Sequence, residues 1–445
     1  MTDLLVLGIG ISPHKNDGLL RFEYFCRSFG IPYEILGEGK EWVGGNMETD
    51  AGGGQKINAM IEALEHMPNK LVVICDTFDL FPVGGVDELW KKFNQRCGPS
   101  KVLISAEVSC WPDPSLKNSY PVSHSKYLYL NSGCIMGYRD EIYQLVKNSN
   151  VMNTDDDQLF FTRKYLSGEK IVLDHDCHLF QTLNRCKSDI VIHKNRIYNK
   201  YTNSYPIFIH GNGSSKLFLN HIENYLVPIP FDPTKDPIGN SPPSIFIAVH
   251  LGPKGSDTEE FFKGVAAIQY PRRDVWVYDP IERPLIKHLC GLMGYTYVGN
   301  SPKYVYEDFL ASNCDYYFLL EQSCIITKCD ILYDLLGTRK RIVGPLLISR
   351  TNNAFSNFWG ALNSDGFYLR SEDYMEIITY GKRGCWNVPY ATGCILMERA
   401  IVCNWNLALK NKHCPNDMDM ALCLNLRRNM LFIYVLNDEV YGYLN

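Results

Sequence analysis

Short apolar runs alternate with helical patterns through the first half of the chain, and that alternation limits the fold more than any single motif. Leu4–Ile11 is strand-like. Leu19–Phe29 has helical spacing, with apolar residues at Leu19, Phe22, Phe25, Cys26 and Phe29. A helix over Ile57–His66, a strand over Leu71–Cys75, a helix over Val86–Asn94 and a strand over Lys101–Ala106 follow. Alternation of this kind predicts a mostly parallel sheet with helices on both faces.

Around Val227 the texture changes. VPIPFDPTKDPIGNSPP holds six prolines in 17 residues and no apolar period, which reads as a linker. The expected division is a first domain over 1–229, a Pro-rich linker over 230–243 and a second domain over 244–445. The second half repeats the design. Ile245–Val249 is strand-like, Glu259–Ile268 helical and Asp274–Tyr278 strand-like, and Asp315–Ile326 reads DYYFLLEQSCII. That run holds the place of LVVICDTFDLF (Leu71–Phe81) in the first half, with Glu321-Gln322-Ser323 where the acids Asp76 and Asp79 stand. Two adjacent carboxylates are missing there, so a second metal site is not expected.

At 445 residues the chain is too long for one ordinary core. Its formal net charge of −5 argues against a nucleic-acid or anionic-membrane surface. An anionic ligand fits only if a metal or a local basic group offsets that charge. No apolar run approaches the ~20 residues of a membrane span. The start, MTDLLVLGIGISPHK, has no basic leader, so no secretory signal is read in it. The 16 cysteines are scattered without a CxxC pair, a pattern of buried reduced thiols more than of a disulfide framework or zinc site.

Four stretches carry chemistry. Asp76 and Asp79 end an apolar strand, where ligands of open α/β sheets bind, and two such carboxylates suit a divalent cation. The bland alternative is a pair of solvated turn acids. PIFIHGNGSSK (Pro206–Lys216) supplies His210 as an imidazole ligand, glycines that let amides approach phosphates, and Lys216 as a point charge, or else is a plain turn. With the two acids, His210 completes a set suited to Mn²⁺. Its Asn212-Gly213-Ser214 is a formal glycosylation sequon, expected to lie buried in a site. NTDDDQLFF (Asn153–Phe161) places three acids before a helical pattern, for capping or for stabilising positive charge on a sugar. DAGGGQK (Asp50–Lys56) suits a phosphate cradle ahead of a helix, with Trp42 nearby as a uracil-stacking ring or a packing residue.

In order, AGGGQK, DTFD, SAEVSCWP, LNSG, DDDQLFFTR, LDHDCHLFQ and IHGNG resemble the N-terminal glycosyltransferase domain of the multifunctional collagen lysyl hydroxylases, the procollagen-lysine 2-oxoglutarate 5-dioxygenases. SNFWGALNSDGFYLRSEDY, WNVPY and NDMDMALC resemble that family's central accessory domain. The resemblance implies two tandem GT-A-like, Rossmann-like α/β domains, the first catalytic and the second accessory. It implies Mn²⁺, a UDP-glucose donor and glucosylation of galactosyl-hydroxylysine in a collagen-like polypeptide. Carried over by motif, Asp76, Asp79 and His210 would hold Mn²⁺. Trp42, Lys56, Gly211 and Lys216 would contact the nucleotide sugar. Asp156 and Asp157 would lie at the transfer site, lined by Trp111, Asn131 and Asn212.

Phe78 stands where the family usually has Tyr; it keeps a ring for uracil stacking and lacks the hydroxyl. LVLGIGIS replaces a Thr-bearing first strand. Neither Fe²⁺ nor 2-oxoglutarate is expected. The one HxE, His221-Ile222-Glu223, sits on an expected helix with no jelly-roll strands around it, and the iron domain of the family is expected to be missing. By resemblance the compartment is the endoplasmic reticulum lumen, and the partners are a UDP-sugar, a collagen-like acceptor and either a second copy or a lysyl hydroxylase. Two other readings stay open: a weak or inactive paralogue that binds collagen as an assembly module, and a transferase that uses UDP-galactose.

Overall fold

The structure is a computed structural model that describes residues 3–46, 52–98, 100–226, 242–253, 258–301, 306–363, 365–404 and 417–445. Most of the expected linker, 230–241, and Asp50 and Ala51 of the glycine-rich motif lie outside the described residues. The chain divides into two compact units, Met1–Pro228 and Ile229–Asn445.

The first unit is built from β1 (Leu4–Ser12), α1 (Asp17–Ser28), β2 (Tyr33–Glu38), α2 (Gly54–His66), β3 (Leu71–Asp76), β4 (Leu80–Pro82), α3 (Val86–Arg96) and β5 (Val102–Glu107). After these come β6 (Tyr129–Tyr138), α4 (Arg139–Val146), α5 (Asp157–Leu166), β7 (Ile171–Leu173), β8 (Phe180–Thr182), a hairpin of β9 (Ile190–His193) and β10 (Arg196–Asn199), β11 (Phe208–His210) and α6 (Lys216–Glu223). Its main sheet has six strands in the order β2-β1-β3-β6-β5-β7. β6 runs antiparallel to both neighbours, while the other ladders are parallel. The sheet is therefore mixed, where the sequence pattern predicts a mostly parallel one. β5 and β6 are consecutive and joined by an irregular segment with only a short 3₁₀ turn, so no crossover helix turns the chain back to parallel.

Alternation along β1 sends Leu4 and Val6 to one face, against Phe22, Cys26, Leu89 and Phe93. Leu5, Leu7 and Ile9 go to the other face, against Ile57, Met60 and Leu64. Burying each such side chain contributes about 1.5–3 kcal/mol. A second, three-stranded sheet, β4-β11-β8, lies beyond the turn after β3. It fastens the two chain segments that carry the candidate metal ligands.

The second unit has an eight-stranded sheet, in spatial order Thr296–Gly299, Arg273–Asp279, Ile245–His250, Tyr316–Glu321, Cys394–Glu398, Ile342–Pro345, Ile433–Leu436 and Cys385–Val388. Cys394–Glu398 is antiparallel to both its neighbours, as β6 is. The short strand after Glu321, Cys324–Ile326, pairs antiparallel with Gly442–Leu444, which pairs parallel with Ile348–Ser349. β4, β11 and β8 pair in the same senses. Both units are α/β, each with a mixed main sheet and a small three-stranded sheet. Among the described residues the cysteines are free thiols, most of them buried, and no helix is long and apolar enough to cross a membrane.

Candidate metal centre and active site

β3 is apolar on both faces until Asp76, its last residue. The chain then turns through Thr77, Phe78 and Asp79 into β4. Thr77 is fully buried and donates through Oγ1 to the Ile9 carbonyl of β1, 2.8 Å away. In the β4–β11 ladder Leu80 pairs with His210, so Asp79 and His210 meet at one end of the small sheet. The Gly211 amide donates to the Asp79 carbonyl at 2.8 Å and locks that end.

The sequence-predicted metal ligands therefore converge. One ligand atom from each of Asp76, Asp79 and His210 lies within 4.8 Å of the others. His210 Nε2 is 3.6 Å from Asp79 Oδ1 and 3.8 Å from Asp76 Oδ2. A hard cation with bonds of ~2.0–2.6 Å can touch oxygens and nitrogens spaced this way. Two carboxylates and one imidazole form a donor set that fits Mn²⁺.

His210 is 6% exposed, and its tautomer is set by neighbours. The Asn131 amide donates through Nδ2 to Glu107 Oε1 at 3.0 Å and to Gln158 Oε1 at 3.3 Å. Its Oδ1 accepts from the Gly133 amide at 3.2 Å and faces His210 Nδ1 at 3.1 Å. Nδ1 is thus the protonated nitrogen, and Nε2 keeps its lone pair for the cation. Burial by itself would lower the His210 pKa, but the carboxylates of Asp79 and Asp76 facing Nε2 outweigh it and raise it above 6.5. Burial pushes the Asp79 carboxyl up, yet His210, Lys216 and Lys56 hold it well below the usual carboxylate range.

Lys56 is buried and bridges two acids, with Nζ 2.7 Å from Asp76 Oδ1 and 3.7 Å from Asp157 Oδ2. Burial disfavours its charge, and Asp157 and Asp76 more than compensate, so its pKa is raised. Asp157 accepts from Ser132 Oγ at 2.9 Å. Burial pushes its carboxyl up, with Lys56 opposing. Asp156 caps α5, accepting from the Leu159 amide at 2.7 Å. Lys216 Nζ stands 3.7 Å from Asp79 Oδ2.

Among the described residues of the glycine-rich stretch, three amides are already engaged. Those of Gly53, Gly54 and Gln55 donate to the carbonyls of Gly44, Asp155 and Asn153. The glycines serve close packing of the α2 start on the acid loop, which corrects the phosphate-cradle reading. Gln55 also accepts from the Val43 amide at 2.7 Å and donates to the Glu41 carbonyl at 3.0 Å, tethering the loop that carries Trp42. Trp42 is half-buried and donates to the Gly45 carbonyl at 2.6 Å. Phe78 is also half-buried. Trp111 is 53% exposed, and its carbonyl accepts from Gln158 Nε2 at 3.0 Å. Asn212, the sequon residue, is 7% exposed and donates to Glu107 Oε2 at 3.1 Å.

Glu107 is the residue that motif reading passes over. It is 3% exposed and gathers amide donors from Asn131, Gln158 and Asn212. Burial pushes its carboxyl up and those donors pull it back. An acid closing an apolar strand, as at Asp76, is the signal that could have found it. The HxE motif is no metal site: Glu223 pairs with Arg21 at 3.0 Å, and the His221 ring meets Tyr225 edge-on.

Residues 2–232 match the family described as PLOD GT domain, and residues 308–445 match the N-terminal domain of glycosyltransferase family 25. The chain is 46% identical to uncharacterized protein R699 of Acanthamoeba polyphaga mimivirus over 99% of this chain and 98% of that one. It is 30% identical to the human multifunctional procollagen lysine hydroxylase and glycosyltransferase LH3, over 98% of this chain and 64% of that protein's length. A solved glycosyltransferase involved in glycosylation of the major capsid of PBCV-1 is 13% identical with a TM-score of 0.31, over 49% of this chain and 98% of that one. The match to the first family spans more than half of the chain, and the chain belongs to the PLOD glycosyltransferase-domain family.

Proposed function

We propose that this protein is a Mn²⁺-dependent glycosyltransferase that moves glucose from UDP-glucose to galactosyl-hydroxylysine of a collagen-like polypeptide. The observation that carries the reading is the meeting of Asp76, Asp79 and His210 Nε2 within 4.8 Å at the ends of β3 and β11. The relative LH3, named as a procollagen lysine hydroxylase and glycosyltransferase, supports the acceptor class.

Asp76, Asp79 and His210 would hold the cation. When bound, it neutralises charge building on the diphosphate as the glycosidic bond breaks. Lys216, beside Asp79, adds positive charge for the same phosphates. Trp42 and Phe78 offer rings for uracil, and Gly211 brings backbone close to the donor. Asp157, assisted by Asp156, faces the sugar with negative charge for a cationic anomeric carbon. Asn131, Asn212 and Trp111 line the acceptor side. Lys56 bridges Asp76 and Asp157 and places a positive charge between the two carboxylates. The second unit serves as an accessory domain for packing, dimer contact or acceptor binding, in the secretory pathway.

Asp76→Ala and Asp79→Ala each abolish Mn²⁺-dependent UDP release from UDP-glucose. Near-normal turnover in either variant refutes the metal assignment. A screen of UDP-glucose against UDP-galactose on hydroxylysine peptides, with and without galactose, decides donor and acceptor. A folded protein that UDP and Mn²⁺ together fail to stabilise thermally is a binding module instead.

A further inference from the structure

We infer that Arg21 is a positioning residue that sets the spacing between the Asp and His halves of the metal site, an inference that rests on the metal reading above. Arg21 lies on α1 and is 5% exposed. Its guanidinium forks between two elements. Nη2 donates to the Phe78 carbonyl at 3.2 Å, inside the turn that joins Asp76 to Asp79. Nη1 donates to Glu223 Oε2 at 3.0 Å and to Asn220 Oδ1 at 2.7 Å, both on α6. α6 starts at Lys216, six positions after His210, the last residue of β11. One rigid, planar cation thus joins the acid-bearing turn to the helix that follows the imidazole.

The packing around this fork leaves the turn little freedom. Gly18, one helical turn before Arg21, lies so close that an added Cβ would stand 2.2 Å from the Phe78 oxygen. The Phe81 ring of β4 lies under the guanidinium, 5.2 Å from its centre. Thr77 is tied to β1, Phe78 to α1 through Arg21, and Asp79 to β11 through Gly211. The Asp79 anchor meets the first turn of α6 through Gly211 and Lys216, and the Arg21 link reaches its last turn. Glu223, the acid of an HxE that holds no metal, finds its role here as the counter-ion of the fork.

The test separates positioning from bulk stability. Breaking one partner of a buried ion pair destabilises the fold because a charge is left behind, whereas replacing both by apolar residues often restores stability. Arg21→Met and Glu223→Leu are each compared with the double variant Arg21→Met/Glu223→Leu and with Arg21→Lys. Mn²⁺ alone is titrated by electron paramagnetic resonance, and thermal unfolding is followed in parallel. The double variant is expected to unfold near the wild-type temperature and to bind Mn²⁺ about tenfold more weakly. Arg21→Lys keeps the pair with Glu223 but cannot fork, so it also binds Mn²⁺ more weakly than wild type at near-normal stability. If the folded double and lysine variants bind Mn²⁺ with the wild-type dissociation constant, the inference is overturned and the metal reading stands. If wild type itself binds Mn²⁺ no better than Asp79→Ala, the metal reading falls and takes this inference with it.

Discussion

Replacing Gly133 by alanine asks how closely β6 must let His210 approach. A Cβ at this position would stand 2.2 Å from His210 Cε1 and 2.6 Å from Nδ1. Carbon atoms in ordinary contact are ~3.5–4.0 Å apart, so the ring has to retreat by roughly 1.3 Å or more. It has nowhere easy to go: the ring is buried, its Nδ1 is held by Asn131, and its backbone is paired on both sides in β11. Metal–ligand distances tolerate only about 0.2 Å of error, so the imidazole leaves the coordination position. Disturbing a residue that merely orients a ligand costs ~10–100-fold in metal affinity, and moving the ligand itself costs at least as much. The overpacking costs about 1–3 kcal/mol of stability, or a few degrees in Tm for a unit of this size. Mn²⁺ titration and calorimetry on Gly133→Ala measure the two effects separately. A folded variant that binds Mn²⁺ as tightly as wild type refutes the claim that this glycine exists to admit His210.

Three further outcomes follow from the same geometry. The His210 pKa lies above 6.5 in the metal-free protein, so its contribution to stability is full below about pH 6.5 and is lost as pH rises through the raised value. Mn²⁺ needs the neutral ring, so the thermal shift produced by Mn²⁺ grows as pH rises through that raised value; a shift that does not grow with pH contradicts the ligand role. Glu107→Gln keeps one carbonyl acceptor but sets its amide donor against one side of the donor cluster, either Asn131 and Gln158 or Asn212, and costs about 1–3 kcal/mol, read by calorimetry. Asp157→Asn removes the charge that faces Lys56 and lowers turnover far more than it weakens Mn²⁺ binding; equal losses in the two assays would assign Asp157 to the metal site instead.

Much of the site is legible in the sequence because metal ligands are chemically rare and sit at strand ends. Asp76, Asp79 and His210 stand out as acids and an imidazole that interrupt apolar runs. What brings them together is not legible in the same way. The β4–β11 ladder is three residues per strand, too short for a periodic signal, and its partners are about 130 positions apart. The antiparallel β6 is hidden for a related reason: the long segment before it holds only a short 3₁₀ turn, with no α-helix and no two-residue hairpin turn to mark the change of direction. The glycines of the AGGGQK stretch mislead, since a loop that frees amides for phosphate and one that packs a helix against a neighbouring backbone use the same residue. Glu107, Gln158 and Arg21 act through side chains and carbonyls far away in sequence, and no local pattern marks a residue whose partners come from elsewhere in the chain.

The two units show how little separates a metal site from a bare scaffold. In the first, Asp76 pairs with Ile9, and in the second Glu321 pairs with His250, at the same end of the equivalent strand. Leu80 pairs with His210, and Cys324 with Leu444. Even the lock recurs, with Gly211 donating to the Asp79 carbonyl at 2.8 Å and Asn445 to the Ser323 carbonyl at 2.9 Å. The places of Asp76, Asp79 and His210 thus fall to Glu321, Ser323 and Leu444. The connecting turn also shortens, from Thr77–Asp79 to Gln322 and Ser323. One carboxylate, a hydroxyl and a leucine cannot complete the shell of a hard cation. The backbone that aims three side chains at one point recurs in the second unit without them, carried there by the apolar strands beneath. Within this fold, chemistry depends on a few side chains at a strand edge, and the same edge without them is free to serve packing or recognition.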